Sequence, residues 1–238
     1  MTSTEELQAL LHRAPRDDQA EAAFFRAMLN ALIYTLAPLS DDHPRLRLIT
    51  FTRPDGVCFV PLFTDEDKAI ASAQGVLRVL CGTGRELLEA TQGSVVVINP
   101  NDEHCALYQE EIACLLATGR IASIHTETLD TERVVLIGEP PPAPEWLVKR
   151  LQTLYADLGY VEAARLVTMV HEDNPQYRAL TVVIVTAQAF TERAARATTL
   201  ALQDDCRARN FALDIAVVPS DEVEDTPSGP GRKIYPVG

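Results

Sequence analysis

Adjacent carboxylates are the first groups in this sequence that could do chemistry: Asp65-Glu66-Asp67, Glu110-Glu111 and Asp204-Asp205. General acid–base catalysis needs two ionisable groups aimed at one proton. Successive positions on a helix point about 100° apart, so such neighbours diverge. They read instead as helix starts or solvated helix faces, where a carboxylate in the first turn also favours the helix dipole. Asp65, Asp67, Glu110 and Glu111 are therefore expected at the surface and stand as candidate partner-binding residues. No residue is assigned a catalytic, cofactor-binding or metal role, and no cofactor is expected.

Other constellations are weaker. Gly82-Thr83-Gly84 precedes a helical stretch, Arg85 to Ala90, and glycines before a helix can cradle a phosphate. The chain lacks the Lys-Ser/Thr of a P-loop and the third glycine of a dinucleotide fingerprint, so a strand-to-helix turn needing φ > 0 is the simpler reading. His104-Cys105, beside Asp102 and Glu103, would face opposite ways if extended, and no second ligand pair has metal spacing. His125 and His171 stand alone among polar neighbours, and no serine sits in a GxSxG elbow.

The elements that must position these groups alternate between helix and strand. Ser3 and Glu6 have capping-box spacing ahead of Leu7, Leu10 and Leu11. A second helix starting near Asp17 or Asp18 would present Phe24, Phe25, Met28, Leu29 and Leu32, followed by a strand from Ile33 to Leu36. Leu46 to Thr52 and Val57 to Phe63 flank Arg53-Pro54-Asp55-Gly56, a hairpin signal. Thr64 reads as a helix N-cap. Strands follow at Val76 to Cys81, Ser94 to Ile98 and Val134 to Ile137, with a helix from Gln109 to Ala117 stopped by Gly119.

The prolines 140, 141, 142 and 144 are the clearest punctuation, because proline blocks both helix and sheet continuation. They suggest two domains, 1–145 and 146–238. After them come an amphipathic helix carrying Leu147, Leu151, Leu154 and Leu158, strands near 164–170 and 179–186, a helix from Phe190 to Arg209, and a strand at Asp214 to Val218. From about Ser220 the chain is acidic, then rich in Pro and Gly, and is expected to be flexible except near Ile234-Tyr235-Pro236. The fold class is α/β (α+β): a mixed β-sheet with flanking helices, then a smaller α+β domain.

Composition narrows the partners. The 238 residues carry 34 acidic and 21 basic side chains, a formal charge of −13. Phosphate neutralisation needs a Lys/Arg surface, so nucleic acid and anionic membrane are excluded as expected partners, while a basic protein would be attracted. Five cysteines, an odd number with no CxxC, read as buried free thiols in a reducing compartment. The first residues have no signal-peptide pattern and no apolar run has the length of a membrane span. A cytoplasmic protein is expected.

Several segments, in order, resemble the SseB family, the enhanced serine sensitivity proteins of bacteria. They are the run from Phe24 to Leu36, the junction Val60 to Glu66, the buried strand ending in Asn-Pro (Val95 to Pro100), the acidic helix start Glu110-Glu111-Ile112, and Ile137 to Pro140. Residues 159 to 238 look like the family's smaller C-terminal domain. The family's glycine after Asn-Pro is absent, so the turn is expected to depend on Asn101 in the left-handed region. The resemblance implies a fold and a cytosolic bacterial protein and brings no catalytic residues with it. The expected function is non-enzymatic: a regulatory or binding module acting through protein–protein interaction. The alternatives are an immunity or adaptor protein for a basic secreted effector or toxin, and an enzyme with an unrecognised site.

Overall fold

The computed structural model describes residues 3–14, 17–40, 47–53, 56–102, 105–121, 135–171, 174–221 and 231–236. The chain forms two compact units, Met1–Ile121 and Ala122–Gly238. Helices and strands are mixed in both, as the sequence pattern implies.

The first unit runs α1 (Thr4–Arg13), α2 (Asp18–Met28), β1 (Leu32–Pro38), β2 (Phe51–Thr52), β3 (Cys58–Leu62), α3 (Glu66–Ala73), β4 (Leu77–Thr83), α4 (Gly84–Ala90), β5 (Val95–Ile98), β6 (Cys105–Leu107) and α5 (Gln109–Thr118). Both N-terminal helices are capped as the sequence predicts. Ser3 accepts from the Glu6 amide, and Asp17 accepts from the Gln19 and Ala20 amides. These amide bonds and the neighbouring Arg13 guanidinium hold the Asp17 carboxyl below its usual range. The α2 helix buries Phe24, Phe25 and Met28 but ends there; Leu32 starts β1 and is exposed, not part of the helix face.

Four strands form a mixed sheet in the order β2-β3-β5-β6, with β3 and β5 parallel. The hairpin between β2 and β3 forms, with Phe51 opposite Phe59. Its turn residues Pro54 and Asp55 lie outside the described residues. Period-two alternation sorts β5 onto two cores. Val96 and Ile98 join Leu7, Phe24, Met28, Leu88 and Leu115, whereas Val95 and Val97 join Phe59, Ala106 and Tyr108. A fully buried strand flanked by two apolar layers explains the unbroken Val-Val-Val-Ile run. The antiparallel pair β1-β4 is tied to this sheet by one bridge between Tyr34 and Phe63.

Gly84 is needed for a close approach and not for a positive φ: a Cβ there would sit 2.1 Å from the Met28 carbonyl oxygen. Thr83 caps α4 in a reciprocal capping box with Glu86, whose carboxylate accepts from the Thr83 amide at 2.8 Å. That bond holds the Glu86 carboxyl below its usual range. The anion at this helix start is thus the protein's own.

The second unit runs β7 (Val135–Gly138), α6 (Glu145–Leu158), β8 (Val161–His171), β9 (Asn174–Thr186), a 3-10 turn (Gln188–Phe190), α7 (Thr191–Arg209), β10 (Asp214–Pro219) and β11 (Arg232–Tyr235). Its sheet has the order β10-β9-β8-β11, and β7 shares with β11 the far side of β8. The helices α6 and α7 cover one face around Leu147, Leu151, Tyr155, Leu166, Val182, Ile184 and Leu202. Two expectations change here. The boundary falls before β7, not at 145/146, because β7 pairs with β8 and so is already part of the second sheet. Arg232 and Lys233 are not a flexible tail but strand, with Ile234 buried beside them. Residues 222–230 lie outside the described residues.

Candidate interaction surface

Tyr34 is the centre of a row of backbone partners. Its amide donates to the Phe63 carbonyl at 2.9 Å, and its carbonyl accepts from the Phe63 amide at 2.8 Å. On its other side Tyr34 lies opposite Cys81 of β4. Both backbone groups of Tyr34 are spent on Phe63 and point away from β4. Tyr34 and Cys81 therefore form a non-hydrogen-bonded pair, and the Cys81 amide and carbonyl point outward from β4. The same phase turns Val79 and Leu77 outward. Consistent with it, the Thr83 amide reaches Glu86, and the Leu36 carbonyl accepts from Ile49.

One face of this pair carries Leu32, Tyr34 and Leu36 on β1 and Cys81, Val79 and Leu77 on β4. The α3 helix covers its middle, burying Leu36 with Phe63, Ala69 and Ala73. Beyond the helix the cover ends: Tyr34 is half-buried, and Leu32 and Cys81 are exposed. The chain leaves Phe63 through Thr64 directly into Asp65 and Glu66, so the acidic start of α3 lies beside this open end. Burial pushes the Tyr34 phenol up, reinforced by negative charge at Cys81, Glu66 and Asp65. Burial and Glu66 likewise push the Cys81 thiol up.

The α3 start is held by a buried polar link. The N-cap is Asp65, not Thr64; its Oδ1 accepts from the Asp67 and Lys68 amides. Thr64 is buried, and its amide donates to Asn99 Oδ1 at 3.0 Å. Asn99, not Asn101, occupies the left-handed region, with φ 48°. Asn101 instead donates to Ser72, and Asp102 pairs with Lys68 at 2.7 Å. The carboxyl ends of parallel β3 and β5 are thereby fastened together and rimmed with acids.

The four candidate partner-binding residues do not form one face. Asp65 is half-buried and committed to capping, and Asp67 is exposed beside it. Glu110 and Glu111 open α5, which packs on α4. Glu110 is half-exposed. Glu111 is fully buried, correcting its expected exposure, because its carboxylate turns inward to accept from the Tyr108 amide at 3.0 Å.

Of the other candidates, Glu103, His104 and His125 lie outside the described residues. Asp204 and Asp205 reach Arg207 and Arg209 on their own helix. Among the described residues no group of His, Cys, Asp and Glu is placed to hold a metal ion. None of the cysteines is buried, correcting the expectation: Cys58 and Cys81 are exposed and the others half-buried, with Cys58 and Cys105 at the starts of strands and Cys114 and Cys206 on helices. Tyr155 is buried, and burial pushes its phenol up. Trp146 packs edge-on against Phe211 under Arg209, as a packing anchor does. A shallow cavity of about 530 Å³ in the second unit is lined by Glu139, Thr168 and Arg178 among others, but Glu139 is engaged with the Gly231 amide.

The signal that sequence reasoning missed is the exposed apolar set. Leu39 (63% exposed) follows β1, Val76 (66%) precedes β4, Ile70 lies on α3, and Leu32 starts β1. Of these, Leu32 reads from its neighbours in sequence as part of a buried helix face and Val76 as the start of a strand.

No curated protein and no solved structure matches the chain. Residues 7–114 match the family model described as SseB protein N-terminal domain, which supports the resemblance of the first unit to the SseB family.

Proposed function

We propose that the protein works by binding another protein, as a regulatory or binding module, and not by catalysis. One observation carries this reading: Leu32 on β1 and Ile70 on α3 are exposed on the layer whose α3 start carries Asp65, Glu66 and Asp67. Apolar contact area rimmed by charge is the anatomy of a protein-binding surface. The charge of −13 favours a basic partner and fits the narrower reading of an immunity or adaptor protein for a basic secreted effector. No described helix is long and apolar enough to cross a membrane. A cytoplasmic location in a bacterium is part of the same proposal.

The test is affinity capture with cross-linking from a lysate of the native host, comparing the wild type with the double variant Leu32→Ser, Ile70→Ser. The expected result is a protein retained by the wild type and lost by the folded variant. Equal capture by both would move the contact elsewhere. No protein partner, together with turnover of a small molecule, would replace the reading by an enzyme.

A further inference from the structure

The binding-module reading leaves the mode of contact open, and the inference here rests on that reading. Among the described residues β4 pairs with β1 alone, so its other side is an open sheet edge. The outward-pointing backbone groups are those of Leu77, Val79 and Cys81, fixed by the Tyr34–Phe63 pairing. An unpaired edge is a template for a further strand unless it is blocked by a proline, a bulge or an inward charge. Leu77 to Thr83 holds no proline, its register with β1 is unbroken, and its one charged residue, Arg78, belongs to the opposite face. Acids stand at the open face, Asp65 and Glu66 beside Tyr34 and Cys81.

We infer that the outer edge of β4 accepts an extended, basic segment of the partner, which adds to the sheet as a strand. Its main-chain groups pair with Leu77, Val79 and Cys81. Its basic side chains meet Asp65 and Glu66 on the α3 face, and its apolar ones fall on the opposite face of the sheet. Main-chain bonds supply affinity in this mode, and side-chain charge supplies choice of partner.

The probe is a short capped peptide alternating valine with lysine, measured by fluorescence anisotropy against the full chain. Three comparison peptides accompany it: one with glutamate for lysine, and two N-methylated at alternate residues along one edge or the other. The valine–lysine peptide is expected to bind, to weaken about tenfold from low to physiological salt, and to slow amide exchange at Val79 and Cys81. Methylation along one edge is expected to abolish binding while the other frame leaves it largely intact, and the glutamate peptide is expected not to bind. Glu66→Lys is expected to weaken binding about tenfold without loss of folding. Absence of binding, equal binding of both methylated frames, or protection at the β10 edge instead of β4 would overturn the inference. A captured partner that leaves the β4 amides exchanging freely would overturn this inference and leave the binding-module reading standing. Capture of no partner at all would fail that reading first.

Discussion

Asn99 and Thr64 hold each other across the carboxyl ends of two parallel strands. Asn99 Oδ1 accepts from the Thr64 amide at 3.0 Å, and Asn99 Nδ2 donates to Thr64 Oγ1 at 2.9 Å, with both residues buried. Replacing Asn99 by Ala leaves a buried amide unsatisfied, costing about 1–3 kcal/mol, and adds about 1 kcal/mol for a left-handed alanine. Asn99→Gly incurs the first cost only, because glycine adopts the left-handed region freely, and should be the milder variant. Urea denaturation of both measures the difference; equal losses would mean that the backbone conformation contributes nothing.

Gly84→Ala should cost about 3 kcal/mol or more. The added Cβ meets the Met28 carbonyl at 2.1 Å, and the obstacle is backbone, which cannot rotate aside. A melting temperature within a degree of the wild type would show that α4 and the α2 end can separate freely.

Glu111→Ala should destabilise the first unit by about 2 kcal/mol, since the buried Tyr108 amide loses its acceptor. Asp67→Asn, at an exposed position, should stay within about 0.5 kcal/mol. Charge reversal to test partner binding therefore belongs at Asp67 and Glu66; at Glu111 it would report folding instead. Binding lost by Glu111→Lys with an unchanged melting temperature would contradict the buried geometry.

Cys81 should alkylate faster in Glu66→Gln than in the wild type at fixed pH near neutrality, by about twofold. The sign follows from the charge: Glu66 disfavours the thiolate and raises the thiol, so removing it lowers the thiol and shifts the pH–rate curve to lower pH. Iodoacetamide modification followed by peptide mass mapping reads this directly. No change would separate Glu66 from the β4 edge.

Ile234→Ala should destabilise the second unit by about 2–4 kcal/mol, because Ile234 is buried in its core and Tyr235 packs edge-on against Tyr155. Deletion from residue 222 onward should cost at least as much. A truncated chain that melts like the full one would restore the expectation of a dispensable tail.

What the sequence makes legible is local. Helix periodicity and caps at Ser3 and Asp17 locate α1 and α2, and the Val95 to Ile98 run announces a strand buried on both faces. Partners distant in sequence leave no such trace. Thr64 looks like a cap because its true partner, Asn99, is 35 residues away. Leu32 falls in phase with Met28 and so seems to continue the helix face, although the chain has already turned at Leu29 to Ala31. Glu111 stands three residues after Tyr108, the spacing of a reciprocal cap, and that spacing is the available hint that its carboxylate turns inward. Cysteine burial fails for a different reason: apolar neighbours in sequence do not say where a covering helix stops.

The pairing of β11 with β8 also sets an order of events during synthesis. Every described strand partner in the first unit lies between Leu32 and Leu107, so that unit can assemble while the rest of the chain is still being made. The flank of β8 at Ala164 to Leu166, in contrast, waits for Arg232 to Tyr235. At about 5–20 residues per second, the ribosome needs several seconds to cover that interval. During those seconds the nascent chain presents a raw sheet margin in the second unit, and this is where cellular chaperones would have most to guard.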